Sequence, residues 1–422
     1  MVFSKNKSTF ISKTSMLLLV LYPILSMYGT LFNYGIWAFL FLIGYIVLTS
    51  HKKYSVYIPD AYIYYWAYLA IVYFLLTRKI GAIVPGGLSF FVFSIILIFI
   101  AKHFDLGYYK KYMRLMTLIV VALFLAQEAM WMTTGSRFVP VLPLGSLTTT
   151  ITYGELLARN AVAERSASIF LEPSLFAQFL SLGLIVELFS QGGKKLFSVY
   201  SIIIIAALLL MRSGTGIVGL VVVLIFRMRT YLQRLSIVKK MIVSVVIIGF
   251  ASVAISFYLK TEAGGEMFER SQNELTLDEE GHSYARFVVG MLIYNDLSVI
   301  NKIIGASDET LLPIAKRYAF YADKDANILY MNGWAYVLNH SGILGFLLLI
   351  IVIICMYRNN NDLAKSGIWL FVVFSFFGQT YGQSLMLIVF MIASHYQWQH
   401  KHKNLYAKKE STILHPRSLA VD

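Results

Sequence analysis

Apolar residues recur along this chain in windows of about 17 to 25 residues, the length of an α-helix that crosses a lipid bilayer. Short polar segments, many of them rich in lysine and arginine, separate these windows. The pattern predicts about twelve transmembrane helices. Their predicted bounds are 15–29, 33–50, 60–77, 84–101, 114–132, 169–189, 196–211, 215–226, 241–259, 332–356, 367–378 and 383–396.

Composition supports the same class, because 58% of the residues are hydrophobic and only 14% are charged. We therefore predict an all-α polytopic membrane protein in which residues 1–422 form a single integral membrane domain. Lys5, Lys7 and Lys13 precede the apolar run Met16 to Met27, as in a signal peptide. No small-residue cleavage site follows, so we interpret the run as an uncleaved first helix.

The basic residues predict the orientation of the helices. With the N-terminus in the cytoplasm, most lysines and arginines fall in cytoplasmic segments, as the positive-inside rule requires. Both termini are then cytoplasmic, and residues 397–422 form a basic cytoplasmic tail. The net charge of +14 places basic segments beside an anionic leaflet. Nucleic acid is therefore not expected as a partner.

Two long segments fall on the predicted outer side, residues 133–168 and residues 260–331. In the second segment acidic residues outnumber basic ones, and from Tyr284 onward apolar residues recur at helical spacing. This spacing predicts an interfacial helix at the outer membrane surface, and a loop of this length indicates a functional outer surface. The apolar positions of that helix are Phe287, Val288, Met291 and Leu292.

The stretch RSASIFLEPSLFAQ places Arg165 and Glu172 beside an apolar run. If a helix already runs at Arg165, then Arg165, Ser168 and Glu172 share one helical face. If the helix begins at Pro173, Glu172 lies at its cap and the first amides point outward, which favours an anion. Both geometries predict a polar pocket at the outer leaflet. The alternative is an interfacial ion pair that only ends a helix.

Three further polar clusters also fall on the outer side. His282 and Arg286 are four residues apart on one helical face, where an imidazole kept neutral by the arginine can accept a proton. Arg212 lies in a glycine-rich turn whose amides and guanidinium could hold phosphate. Asn332 and His340 belong to the start of a late helix. A solvated helix face, a snorkelling arginine and a packed histidine are the respective alternatives.

Motifs for metal or nucleotide chemistry are weak or missing in the sequence. Asp323 and Asp325 form an acid-x-acid pair within an acidic loop, which is a weak metal signal. No Walker loop, dinucleotide-binding glycine motif or HExxH occurs. The single cysteine, Cys355, cannot form an internal disulfide. Neither a metal nor a cofactor is predicted, so any reaction would use a substrate that is already activated.

Four stretches, in order between about 160 and 350, carry a resemblance to a known family. RSASIFLEPSLFAQ resembles the Arg, then Phe-x-Glu-Pro-Ser, motif of bacterial O-antigen and capsule repeat-unit polymerases of the Wzy type. LLLMRSGTGIVGL is similar to the Ser/Thr/Gly-rich span of that family and of the related O-antigen ligases. YARFVVGMLIYNDLSVINKIIGAS resembles its arginine-led outer-loop helix. MNGWAYVLNHSGILGF resembles the Asn-containing start of a late span.

This resemblance implies an inverting, metal-independent glycosyltransferase of GT-C-like helical architecture in the bacterial inner (cytoplasmic) membrane. Its site would face the periplasm or the exterior. The donor would be a growing glycan on undecaprenyl pyrophosphate, and the acceptor a newly flipped lipid-linked repeat unit. A chain-length regulator and a flippase would be further partners.

The resemblance also implies roles for individual residues. Family members hold the lipid pyrophosphate with arginines, which correspond here to Arg165 and Arg286, with Arg212 as a third candidate. Glu172 or His282 would be the catalytic base. The remaining candidates for the substrate site are Ser174, Tyr284, Asn332 and His340.

Two other functions remain open at this point. An O-antigen ligase would transfer glycan to lipid A core, but many ligases place a histidine where this chain has Met331, which favours a polymerase. A flippase or another transporter would also have about twelve spans. Transporters usually show repeats and interrupted helices at the bilayer midplane, whereas the polar candidates here gather at the outer face. The sequence therefore favours an enzyme.

Overall fold

The computed structural model of the 422-residue chain is helical over the residues that it describes. Within those ranges there is no β-strand, only an isolated bridge between Gly29 and Asn33. The described residues are 2–29, 33–49, 60–77, 85–136, 138, 166–190, 197–233, 235–242, 249, 256, 260–261, 264–265, 284–318, 331–358, 360–378, 380 and 383–414.

The α-helices follow the apolar windows of the sequence. A short 3-10 turn, Ala101–His103, and a π-helical turn, Ala285–Val289, occur beside them. The helices are α1 Val2–Leu25, α2 Tyr34–Thr49, α3 Asp60–Thr77, α4 Pro85–Ile100, α5 Leu106–Thr134, α6 Pro173–Phe189, α7 Val199–Leu210, α8 Gly214–Leu232, α9 Gly290–Asp296, α10 Val299–Ile304, α11 Asp308–Ala315, α12 Gly333–Tyr357, α13 Asp362–Phe377 and α14 Ser384–Leu414.

Each predicted window has a helix where the structure describes it, and the differences lie at the ends. The window 241–259 falls mostly outside the described residues. Helix α5 begins earlier than predicted, at Leu106, because the Asp105 carboxylate caps it by accepting hydrogen bonds from two backbone amides. Helix α14 continues to Leu414, through much of the segment predicted as a tail.

In the part of the chain that the structure describes, three helices, α5, α8 and α12, have the length and hydropathy needed to cross a membrane. Shorter apolar helices accompany them, including α2, α6 and α7. Large apolar side chains such as Phe41 and Leu48 point outward from α2. These features are compatible with a multi-pass membrane protein, in which lipid covers such faces.

Helix α6 occupies the centre of the packing. All its residues from Phe179 to Leu188 are buried, as expected of a helix that is apolar on every side. Helices α5, α7, α8 and α13 surround it. A second group forms around α12, which packs against α3, α10 and α13. Helix α6 is therefore held on all sides, and its N-terminus has a defined position.

A buried ion pair joins α5 to α6 at the end opposite to the N-terminus of α6. The Glu187 carboxylate accepts two hydrogen bonds from Arg114, with Nε to Oε1 at 2.6 Å and Nη2 to Oε2 at 2.9 Å. Lys110 Nζ lies 3.7 Å from Oε2, and Ser198 Oγ donates to the same oxygen at 3.1 Å. This bidentate geometry compensates the burial of the carboxylate and fixes the relative position of the two helices.

Helix α12 is broken at Gly342, where φ is 63°. The loop after α10 fills the break: Gly305, with φ of 94°, lies against the His340 carbonyl, and the Ala306 amide donates to the Asn339 carbonyl at 2.9 Å. The Tyr68 hydroxyl donates to the Ser341 carbonyl. The backbone groups around the break thus have partners, and residues 299–308 are docked on α12.

We predict that Gly305→Ala destabilises the fold by at least about 2 kcal/mol, because φ is in the glycine region and a Cβ would clash with the His340 carbonyl. Thermal unfolding in detergent should show a lower midpoint. Gly44→Ala, in α2 with open space around its Cβ position, is the matched control and should be neutral or slightly stabilising. Equal midpoints for the two variants would contradict the docking.

Candidate functional site

The carboxylate of Glu172 stands at the start of α6. The helix begins at Pro173, whose fixed φ suits the first helical position, and Glu172 is its extended N-cap residue. Of the two geometries open from sequence, the one with Glu172 at the cap is therefore confirmed. Ser168 precedes the helix, so it does not share a helical face with Glu172. Arg165 lies outside the described residues.

Glu172 is turned outward and is not used to cap its own helix. Its side chain is exposed and makes no capping hydrogen bond to the backbone amides of α6. Ser174 Oγ donates to Glu172 Oε2 at 3.1 Å. The carboxylate retains acceptor positions for a proton from a substrate, since an ionised carboxylate has about four lone-pair sites.

The segment before α6 is anchored by Gln127 of α5. The Ser168 amide donates to Gln127 Oε1 at 2.8 Å, while Gln127 Nε2 donates to the carbonyls of Ser168 and Phe138 at 3.3 and 2.9 Å. Ser168 Oγ donates to the Val120 carbonyl at 2.7 Å. With φ of 54°, Ser168 reverses the chain, and these bonds hold that conformation.

Phe170 is the second anchor of this segment. It is fully buried, with ring centroids 5.6 Å from Phe176 and 5.4 Å from Phe179. Leu171, directly before Glu172, is also buried, and successive side chains of an extended backbone point to opposite sides, so Glu172 faces outward. The sequence interpretation missed Gln127. Its position inside the apolar window 114–132 could have indicated a structural role, since a side-chain amide in an apolar run needs a hydrogen-bond partner within the protein.

Arg286 is held at the N-terminus of α12. Its carbonyl accepts hydrogen bonds from Asn332 Nδ2 at 2.9 Å and from the Asn332 amide at 3.3 Å. Asn332 Oδ1 in turn caps α12 by accepting from the Ala335 amide at 2.8 Å. Tyr284 lies two residues before Arg286 and packs on the core. One asparagine therefore fixes both the helix start and the backbone of the arginine turn.

The predicted helix after Tyr284 is present, as the π-helical turn and α9. Of the predicted apolar positions, Phe287 and Met291 are exposed, and Val288 and Leu292 are half-buried. The fully buried side chains of this helix are Val289 and Ile293. Gly290 makes that burial possible, because a Cβ there would come within 2.7 Å of the Ala335 Cβ. The helix docks on α12 and also exposes apolar side chains. His282 lies outside the described residues, so its pairing with Arg286 stays a prediction.

Arg212 occupies the turn between α7 and α8. Met211 has right-handed backbone angles, and Arg212 follows with a φ of 50°. A right-handed residue followed by one with positive φ is the order that forms an anion-binding nest of backbone amides. Ser213, the N-cap residue of α8, makes no side-chain capping bond. The predicted anion-binding turn therefore has a suitable backbone.

The N-termini of α6, α8 and α12 lie on the same side of the protein. Gly219, in the second turn of α8, meets Ser181 of α6 and the Phe374 ring near the end of α13. The Gly333 amide donates to the Gly378 carbonyl at 3.0 Å, which joins the start of α12 to the end of α13. The positive dipole ends of these three helices therefore lie on one side, next to Glu172, Arg212 and Asn332 respectively. The three helix dipoles together favour a negatively charged group in this region.

His340 is a buried structural residue in this fold. Its Nδ1 lies 2.9 Å from the Tyr336 carbonyl, and its Nε2 lies 2.9 Å from Asp308 Oδ1. The ring also stacks on Tyr336 with centroids 4.0 Å apart. The hydrogen bond with His340 holds the pKa of the Asp308 carboxyl below its usual value. The pair joins α11 to α12, and both ring nitrogens have partners within the protein, so a substrate role for His340 stays a prediction.

Asp323 and Asp325, the weak metal signal, lie outside the described residues. Among the residues that are described, no three His, Cys, Asp or Glu side chains are grouped in a way that could hold a metal ion.

No protein-family model matches the chain, and no curated protein matches it.

We predict that Gln127→Leu destabilises the protein by about 1 to 3 kcal/mol, because the buried Ser168 amide loses its partner. Thermal unfolding in detergent measures this loss. Gln397→Leu is the matched control, since it removes an exposed hydrogen bond to the Cys355 carbonyl and should change stability by less than about 0.5 kcal/mol. A loss no larger than that of the control would refute the anchoring role of Gln127.

We predict that Asp308→Asn lowers stability at pH 7 by about 1 kcal/mol, a modest value because Asp308 is partly exposed. The pKa of the Asp308 carboxyl is lower in the folded protein than in the unfolded protein. Such a carboxyl stabilises the fold at pH values above its unfolded pKa of about 4, and this stabilisation disappears as the pH falls through the pKa of the folded state. The difference between wild type and variant should therefore narrow below about pH 4 in unfolding experiments. A difference that stays constant down to pH 3 would contradict a stabilising hydrogen bond between the Asp308 carboxylate and His340.

Proposed function

We propose that this protein polymerises undecaprenyl-pyrophosphate-linked oligosaccharide repeat units into O-antigen or capsular polysaccharide. The reaction is a metal-independent, inverting glycosyl transfer at the outer face of the bacterial inner membrane. The observation that carries the proposal is the double hydrogen bond by which Asn332 holds the Arg286 backbone at the N-terminus of α12. It places an arginine beside a positive helix end, on the side where α6 presents Glu172.

The pyrophosphate is the group that most needs stabilisation in this reaction. Negative charge develops on it as the glycosidic bond to the donor glycan breaks. Arg286 and Arg165 are assigned to hold it, with Arg212 and its nest as a third contact. Guanidinium groups bind phosphate in bidentate geometry, and helix N-termini add backbone amides, so these groups could act without a metal.

The acceptor hydroxyl needs a base, and we assign this role to Glu172. Its carboxylate is exposed, is held by Ser174 and is not used for capping. It would accept the proton of the acceptor hydroxyl as that oxygen attacks the anomeric carbon, and the pyrophosphate would leave with the bonding electrons. His282 remains the second candidate for this base.

An apolar groove of about 500 Å³ between α12 and α13 suits an isoprenoid chain. It extends from Trp334, two residues after Asn332, towards Arg358 at the other end of α12. Its lining is almost entirely apolar, with Phe346 and Phe376 among the side chains that form it. The lipid tail of a donor or acceptor could lie there while its pyrophosphate reaches Arg286.

The proposal includes about twelve membrane spans, cytoplasmic termini and a GT-C-like arrangement. The helices at the predicted windows support this topology. The segment 260–331 would belong to the outer side of the membrane, as the site would. A flippase would supply the substrate, and a chain-length regulator would limit the growth of the polymer.

A ligase and a transporter are the competing functions. A broken helix such as α12 occurs in transporters, where the break lines a substrate cavity near the midplane. In this protein Gly305 and Ala306 fill the break at Gly342, and His340 pairs with Asp308. The break is therefore occupied by the chain itself, which favours an enzyme over a transporter.

The test is complementation of a deletion strain at matched membrane levels, followed by gel analysis of the surface polysaccharide. Arg165→Ala, Arg286→Ala and Glu172→Ala should each reduce the ladder to a single repeat unit, because losing one stabilising donor or base costs about 10²- to 10³-fold in rate. Arg286→Lys should recover only part of the ladder, since lysine lacks the planar guanidinium.

Arg317→Ala is the matched control for the arginine variants. Arg317 lies on the same outer segment, is mostly exposed and forms only a long ion pair with Asp296 at 3.9 Å. Its ladder should equal that of wild type. Loss of even the single-unit band in the deletion strain would indicate a ligase or a flippase. Full ladders from the three alanine variants would reduce these residues to structural roles.

A further inference from the structure

A polar cavity of about 220 Å³ lies between α1, α6 and α14, next to the segment that carries Glu172. Leu171 and Leu175, on either side of Glu172, are part of its wall. Gln178 lies five residues into α6, about 8 Å along the helix axis from Pro173. The cavity therefore extends inward from the outer end of α6, directly beside the assigned base.

The wall combines apolar side chains with uncharged hydrogen-bonding groups. The polar members come from four parts of the chain, the end of α1, the start of α2, α6 and the start of α14, and no charged side chain occurs among the described residues that line the cavity. They are Tyr22, Ser26, Asn33, Gln178, Gln383 and Ser384. Amides and hydroxyls both donate and accept, as the hydroxyls of a sugar require of their partners.

One acceptor in this wall is unused by the protein. Gln178 Oε1 is buried and has no hydrogen-bond partner among the described residues. Buried polar atoms are normally satisfied, so an unsatisfied one in a cavity indicates a ligand or water at that position. Nearby, Asn33 Nδ2 donates to the Tyr22 hydroxyl at 3.4 Å, which leaves the hydroxyl proton of Tyr22 able to donate. The cavity thus offers an acceptor and a donor.

The size of the cavity limits its occupant. Pockets for drug-sized ligands have about 300 to 1,000 Å³, so a cavity of this volume suits a single sugar ring. A phosphate would lack a cationic partner in this wall, and an acyl chain would leave its amides without hydrogen bonds. The apolar face of a pyranose could pack on leucine side chains while its hydroxyls reach the polar atoms.

We propose that this cavity binds one uncharged sugar residue of the acceptor glycan and selects against charged sugars at that position. The proposal rests on the proposed function, because Glu172 beside the cavity is the assigned base for the acceptor hydroxyl. Gln178 accepts from one sugar hydroxyl, and Tyr22 donates to another. The cavity is a specificity site for the acceptor, and Gln178 is its central residue.

The experiment measures binding without turnover. Protein in phosphatidylcholine nanodiscs, whose headgroup has no hydroxyl, is titrated with lipid-free repeat-unit oligosaccharide released from the host's own surface polysaccharide, and saturation-transfer NMR reports the bound sugar. Gln178→Leu should weaken binding about three- to tenfold, the effect of one neutral hydrogen bond. Tyr22→Phe, which removes only a hydroxyl, should weaken it by a similar factor and covers the case in which Gln178→Leu fails to fold.

Gln399→Leu is the matched control, because Gln399 is a half-buried amide on α14 that bonds His395 far from the cavity. It should bind like wild type. Absence of binding by wild type, or equal binding by folded Gln178→Leu and Tyr22→Phe, would overturn the proposal even where the gel shows polymerisation. A missing ladder together with the expected binding pattern would instead refute polymerisation and retain the sugar site.

Discussion

The break in α12 at Gly342 is the constraint on which the region around the candidate site depends. In an apolar environment every backbone polar group needs an internal partner, so an interrupted helix must be covered by another part of the chain. Gly305 and Ala306 provide that cover. Once they are docked, the preceding residues can only follow the surface of α12, and Asn332 captures the carbonyl of Arg286. The position of the arginine is a consequence of closing the break.

A second set of contacts fixes Glu172 in the same way. At one end of α5, Arg114 binds the buried Glu187 of α6, and at the other end Gln127 binds the segment before α6. Two polar contacts about one helix length apart prevent α6 from sliding or rotating against α5. The burial of Leu171, directly before it, then turns Glu172 outward. The carboxylate is exposed because its neighbours are held.

How far the candidate site could be predicted differs from residue to residue. Pro173 after Glu172 indicated a helix start, and the structure has that start, because the preference of proline for the first turn is local. The sequence named His340 as a substrate-site candidate without indicating its bond to Asp308, a residue of the predicted outer segment more than thirty positions away in sequence. Gln127 was overlooked for the same reason, since its partner, Ser168, lies 41 positions away in the segment before α6. Pairings of this kind depend on packing and leave no local pattern.

The sequence by itself determined the helical class and the positions of the apolar helices, and it limited Glu172 to two local geometries. These follow from hydropathy over one helix length and from capping preferences, which involve only neighbouring residues. Only the tertiary structure decided which face of α9 is buried, that the break at Gly342 is filled by Gly305, and that Gln178 meets Tyr22 across a cavity. Those features arise from contacts between distant segments, where fit and hydrogen bonding select one arrangement among many that share the same hydrophobic pattern.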